Sequence, residues 1–133
     1  MIKVLIADDH QDFRRVVREF LAKIQNVFIV GEASNGAEAV DKAEILLPDV
    51  ILMDITMPYQ NGLEATRIIK QKLPTIRIFI VTMHDNPLYR LQAKEAKADA
   101  YILKSQLKSN LALLLNNHQE KKVNEGDKNI FTV

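Results

Sequence analysis

Five short apolar runs, at residues 3–7, 27–30, 50–53, 77–82 and 100–103, are the feature that most narrows what this chain can become. Each has the length of a strand, and four are rich in Val and Ile. None alternates cleanly between apolar and polar residues, as a strand with one wet face would. Such runs suit a parallel sheet covered on both faces.

The stretches between the runs carry the other period. Phe13, Val16, Val17, Phe20, Leu21 and Ile24 recur at helical spacing, as do Ala39, Val40, Ala43, Leu46 and Leu47. Leu63, Ile68, Ile69 and Leu73 make a third apolar stripe, Tyr89, Ala93 and Ala96 a fourth, and Leu107, Leu111, Leu114 and Leu115 a fifth. The repeat is strand–helix five times over, and right-handed crossovers turn it into a doubly wound α/β fold. Boundary residues agree: Asp9 or Asp12 can cap the first helix and Asn35 the second, Pro48-Asp49 ends the second, and Pro74 ends the third. The leucines of the last stripe are expected in the core rather than on a dimer face.

A chain of 133 residues, 47% hydrophobic and 26% charged, can build one core and is too short for two. Eighteen Lys and Arg against 17 Asp and Glu leave +1, so no global field draws the chain to nucleic acid or an anionic membrane. Cysteine is absent, which removes disulfides and thiolate metal sites. The start, with two aspartates by position 9, is unlike a signal peptide, and no run has the length of a membrane span. A soluble, cytoplasmic domain is the expectation.

Chemistry gathers by position. Asp8 and Asp9 follow the first strand, Asp54 the third, Thr82 the fourth and Lys104 the fifth. In an open parallel sheet all these ends lie on one edge, where ligands bind at the topological switch point. Three carboxylates and one ammonium leave a local charge of about −2, and carboxylate oxygens are the ligands Mg²⁺ prefers. Asp9 and Asp54 can bind such an ion directly, Asp8 through water, and the backbone carbonyl of Thr56 can add a further oxygen. A carboxylate can attack phosphorus once cations offset the repulsion of two anions, which assigns Asp54 as nucleophile and Lys104 as counter-ion. Thr82 offers a hydroxyl able to donate to an arriving phosphoryl oxygen.

Each residue also has a plainer reading. Asp8, Asp9 and Asp12 before an apolar-periodic run look like an ordinary helix start. Threonine suits strands, and a lysine is usually solvated surface. Asp54 closes an apolar run, where an unpaired buried charge would be unfavourable by several kcal/mol. Joint placement at one edge, not any single residue, favours the functional reading.

Asp8-Asp9, the stretch Met53-Asp54-Ile55-Thr56-Met57-Pro58 with Gly62 four on, Thr82, and Tyr101-Ile102-Leu103-Lys104 together resemble the receiver domain of bacterial response regulators. The resemblance covers residues 1–118 and leaves 119–133 as a polar tail or the start of a linker. It implies a flavodoxin-like sheet of order 2-1-3-4-5. It also implies that Asp54 takes a phosphoryl group from the phosphohistidine of a sensor histidine kinase, with Mg²⁺ or another divalent cation such as Mn²⁺ held by Asp8, Asp9, Asp54 and the Thr56 carbonyl. Lys104 would pair with the phosphoryl group, and Thr82 and Tyr101 would switch in response. Such a domain is a signalling phosphoacceptor with slow autodephosphorylation rather than an enzyme. The segment Val81-Thr82-Met83-His84-Asp85 is similar to the NarL branch, whose members carry a LuxR-type helix-turn-helix. Residues 119–133 are too few for that unit, so direct DNA binding is not expected of this chain, while homodimerisation on phosphorylation is.

Four residues depart from the family pattern. Lys97 stands where glycine is common, as does Ala100, and a left-handed helix end at Lys97 costs about 1 kcal/mol relative to glycine. Ser105 replaces a proline after Lys104, which leaves the placement of that lysine less firmly set. Met83 is bulkier than usual beside Thr82, where it either packs or restricts access to Asp54.

Other classes fit less well. A phosphohydrolase with an aspartate nucleophile needs a second acid where this chain has Thr56. Gly31 and Gly36 have P-loop spacing, but Ala37-Glu38 follow in place of Lys and Ser or Thr. The first strand lacks the hydroxyl-rich loop of a flavin site. A receiver-fold binding module that works without phosphorylation is the remaining alternative.

Overall fold

Leu5 and Ala7 point to one side of the first strand and Val4 and Ile6 to the other, and all four are buried. The same division runs through the central strands and requires helices on both faces. A computed structural model, which describes residues 1–120, shows this arrangement. Five strands, β1 (Ile2–Ala7), β2 (Val27–Ala33), β3 (Val50–Met53), β4 (Arg77–Thr82) and β5 (Ala100–Leu103), alternate with α1 (Gln11–Leu21), α2 (Gly36–Leu46), α3 (Gly62–Lys72), α4 (Pro87–Glu95) and α5 (Leu107–Glu120). All pairings are parallel and the order is β2-β1-β3-β4-β5, as expected.

One apolar layer joins Leu5, Ile51, Met53, Ile78 and Ile80 to Ala39 and Ala43 of α2, Ile69 of α3 and Ala93 of α4. The other joins Val4, Ile6, Val50, Leu52, Phe79 and Ile102 to Val17 and Leu21 of α1 and to Leu107, Leu111, Leu114 and Leu115 of α5. The last-stripe leucines are core, as the periodicity requires. Among the described residues no helix is long and apolar enough to cross a membrane.

Several local expectations change. β2 runs three residues past its apolar run because it is an edge strand, half-buried for most of its length, so its second half carries little apolar signal. Its register with β1 slips between Val4 and Leu5. A Cβ at Gly31, just past the slip, would lie 2.7 Å from Leu46 Cδ1. Val16 and Leu47 leave their stripes: Val16 faces outward on α1, and Leu47 caps α2 in the left-handed region at φ 48° with its side chain exposed. Neither Asp9 nor Asp12 caps α1. His10 is the N-cap and has no side-chain bond to the helix, because Asp8 and Asp9 turn toward the sheet edge. Asn35 does cap α2, accepting from Glu38 N at 2.8 Å.

Lys97 adopts φ 74°, so the strain expected there is present. No cis peptide bond occurs among the described residues, Lys104–Ser105 included. α5 continues to Glu120, two residues into the expected tail, whose remainder from 121 onward lies outside the described residues.

Candidate functional site

Register brings the site together before any side chain is considered. Ala7 pairs with Met53, so Asp8 and Asp54 leave neighbouring strands side by side, and on the same edge β4 and β5 end together with Thr82 paired to Leu103. β1 and β3 flank the point where strand order reverses, the crevice where such sheets bind ligands. Asp8 N donates to Ala33 O and Asp54 N to Ala7 O, both at 2.9 Å, which fixes the two acid-bearing residues to the strand ends.

Gly62 holds the loop beyond Asp54. It opens α3 directly against the Asp54 main chain, where an added Cβ would fall 1.7 Å from Asp54 O. Gly62 N also donates to Ile55 O at 2.8 Å, and Asn61 caps the helix through Glu64 N. No other residue type fits that contact without moving α3 or the loop.

The carboxylates face one another. Asp8 and Asp54 are almost fully buried, and Asp9 and His10 are exposed at the mouth. One ligand atom from each of Asp8, Asp9, His10 and Asp54 lies within 4.8 Å of the others. Lys104 Nζ is 2.8 Å from Asp8 Oδ2 and 3.3 Å from Asp54 Oδ2. Thus the lysine reaches the site although serine follows it. Asp54 Oδ1 accepts from Ile55 N at 2.8 Å, and Asp8 Oδ1 accepts from His10 N at 2.8 Å.

Burial, and secondarily the negative charge of Asp8, hold the Asp54 carboxyl above the ordinary carboxylate range; Lys104 and the Ile55 N–H work in the opposite direction. Carboxylate oxygens dominate the donor set, a fit to a hard divalent cation, and His10 adds one nitrogen. Thr56 lies exposed on the loop two residues past Asp54.

Thr82 and Tyr101 are held through a third residue. Thr82 is fully buried, and its Oγ1 accepts from His84 N at 3.3 Å. Tyr101 is buried as well, and its hydroxyl donates to His84 O at 2.6 Å. One peptide segment therefore bridges the hydroxyl at the end of β4 and the phenol on β5. Arg90 lies 4.5 Å over the Tyr101 ring while pairing with Asp85. Burial raises the Tyr101 phenol above its ordinary value, against the lowering effect of Arg90. Met83, expected either to pack or to restrict access, is 74% exposed and takes no part in the core.

Sequence reasoning missed the first turn of α1. His10 Nδ1 lies 3.1 Å from both Asp8 Oδ1 and Asp9 Oδ1. Arg14 donates to the Asp8 carbonyl at 2.6 Å and to Glu32 Oε1 at 2.9 Å, and Arg18 shares that glutamate. Spacing from Asp9 puts these residues on the turn nearest the site, but only the helix axis decides which side chains face it.

Known proteins share the sequence and the fold. The model of the family described as response regulator receiver domain matches residues 4–116. The response regulator protein VraR of Staphylococcus saprophyticus is 40% identical over 113 residues, 84% of this chain and 53% of that protein. The transcriptional regulatory protein DegU of Brevibacillus brevis is 40% identical over 103 residues, 77% of this chain and 44% of that protein. The chain spans about half the length of these curated relatives. A two-component response regulator of the LuxR family from Aurantimonas superposes with a TM-score of 0.85 at 28% identity, over 98% of this chain and 95% of that one.

Proposed function

This chain belongs to the response regulator receiver domain family, and from that premise we propose that Asp54 is the phosphoacceptor of a two-component signalling system. The observation that carries the reading is the buried Asp54 carboxylate set between Asp8 and Lys104 at the switch-point edge.

An Asp54 carboxylate oxygen attacks the phosphorus of a kinase phosphohistidine. The new O–P bond is that of an acyl phosphate; the P–N bond breaks, and its electron pair stays on the imidazole, which takes up a proton. The approach of two anions is the barrier, and Lys104 offsets it from 3.3 Å. Asp8, Asp9, Asp54 and the Thr56 carbonyl would hold Mg²⁺ or Mn²⁺, which when bound neutralises charge on the phosphoryl oxygens.

Thr82 and Tyr101 form the switch. A phosphoryl oxygen on Asp54 would accept from the Thr82 hydroxyl and draw its Oγ1 away from His84 N, and the His84 segment passes the change to Tyr101 through the bond its carbonyl already accepts. The equilibrium moves only by the difference in phosphate contacts between the two arrangements. The readout is a changed surface around α4, β5 and α5, used for homodimerisation by a cytoplasmic transcriptional regulator. DNA binding would lie outside this receiver.

Intact mass after incubation with acetyl phosphate and Mg²⁺ tests the assignment. One added phosphoryl group is expected on the wild type and none on Asp54→Asn or with a chelator. A folded wild type that gains none would instead mark a module that binds partners without phosphorylation.

A further inference from the structure

We propose that Phe13 is a positioning residue for Lys104: its ring face sets the ammonium against the two buried carboxylates, so that α1 as well as β5 places the cation used in phosphoryl transfer. The proposal rests on the phosphoacceptor reading above.

Lys104 stands directly after β5, whose last residue is Leu103. Its flexible stem leaves β5 into a single 3₁₀ turn, Lys104–Gln106, in which Ser105 and Gln106 are exposed. Nonetheless its side chain is only 11% exposed. Two contacts with Nζ come from Asp8 Oδ2 and Asp54 Oδ2. The third comes from the Phe13 ring, whose centroid is 4.2 Å from Nζ. That is well inside the roughly 6 Å over which a ring face attracts a cation.

The ring is itself supported. Phe13 is half-buried and packs against the layer that contains Val17, Leu21 and Leu107, so it cannot swing away without opening that layer. Its neighbours on α1 are engaged elsewhere: Asp12 is turned to solvent near Arg15, and Arg14 is held by Glu32 and the Asp8 carbonyl.

An aromatic ring suits this position for a chemical reason. A further carboxylate would take the ammonium's remaining N–H and add negative charge to a cluster that already has an excess, and a hydroxyl or amide would likewise occupy one of its N–H donors. An aliphatic side chain would strip it of water and return nothing. The ring attracts the cation while leaving its donors for oxygens, including those of an incoming phosphoryl group.

The test replaces Phe13 with mono-, di- and trifluorinated phenylalanine, which weaken the ring face while nearly preserving its shape, and with Leu and Tyr. Two readouts are taken: the rate of phosphoryl incorporation from acetyl phosphate with Mg²⁺, and the NMR shifts of the Lys104 Cε protons without phosphodonor. The rate should fall stepwise with fluorination and by about three- to tenfold in Phe13→Leu, with Phe13→Tyr close to wild type. The Lys104 protons should carry a ring-current shift in wild type that Phe13→Leu removes. A flat rate across the fluorinated series would reduce Phe13 to packing and overturn the proposal, as would the absence of a ring-current shift. If the wild type takes no phosphoryl group, the phosphoacceptor reading fails first. Positioning for transfer then fails with it, even where the NMR shift persists.

Discussion

Asp49 and Asp99 stand at one end of the sheet and Asp8 and Asp54 at the other, and the same side chain does opposite work at the two ends. At the amino end, Asp49 precedes β3 and Asp99 precedes β5. Asp49 N donates to Lys3 O, and its Oδ2 accepts from Lys3 N, both at 2.8 Å. Asp99 repeats the pattern on Ile78, again with both bonds at 2.8 Å, and adds Lys70 at 3.0 Å. Each acid closes a gap between neighbouring strands. Parallel strands present free N–H groups at their amino ends and free carbonyls at their carboxyl ends. Asp49 and Asp99 each take a strand N–H at the first end, whereas Asp8 and Asp54 at the second each take one loop N–H and turn the other oxygen to the Lys104 ammonium. Asp8 and Asp54 meet the Lys104 ammonium and Asp9 lies beside them, so the cluster has negative charge to spare. The excess suits the carboxyl end to a metal and a phosphoryl group.

If that contrast is right, added divalent cation should distinguish the two ends, and this is the largest effect expected. Mg²⁺ at about a hundredfold over its dissociation constant should stabilise the wild type by about 2.7 kcal/mol. Thermal melts should show that gain reduced in Asp9→Asn and unchanged in Asp99→Asn. Equal gains in all three would mean that the ion does not bind through the carboxyl-end acids.

The converse perturbation comes second. Asp99→Ala removes the acceptor for Ile78 N and the partner of Lys70, a loss of about 1–3 kcal/mol. Urea unfolding should show it with or without Mg²⁺, because Asp99 belongs to the frame. A metal-dependent loss would break the division between frame and site.

The two ends were unequally legible in the sequence. Apolar runs such as Val50-Ile51-Leu52-Met53 reveal a strand buried on both faces, and from five of them the parallel fold follows. The apolar run stops short of the end of β2 because Gly31 and Glu32, in its second half, lie on a half-buried edge where Glu32 is held by Arg14 and Arg18. At the carboxyl end, strand position alone put Asp8, Asp54 and Lys104 on one edge, and their side chains do meet. His10, Phe13 and Arg14 escaped notice because their part depends on the direction of α1 relative to the sheet. The amino-end bridges were equally hidden: Pro48-Asp49 read as a helix stop, although Asp49 also joins β1 to β3. Leu47 and Val16 fitted helical stripes, yet a left-handed cap turned one outward and the edge of the stripe left the other in solvent.

The smallest effect has an unusual sign and sharpens the contrast most. Burial and Asp8 raise the Asp54 carboxyl above its ordinary value of 3.8, so its charged form is less favourable in the folded protein than in the unfolded chain. Between those two values the folded state holds more protons, and stability rises as pH falls across the window. Above the folded value the ionised Asp54 lowers stability in full. Asp54→Asn should therefore stabilise the metal-free protein at neutral pH, by on the order of 1 kcal/mol, since Lys104 keeps Asp8 as a partner. Denaturant unfolding in chelator at a series of pH values checks both the sign and the slope. The advantage of the asparagine variant should shrink as pH falls toward 3.8. A variant less stable than wild type at neutral pH would mean that Lys104 more than offsets the burial of Asp54, making Asp54 part of the frame like Asp49 and Asp99.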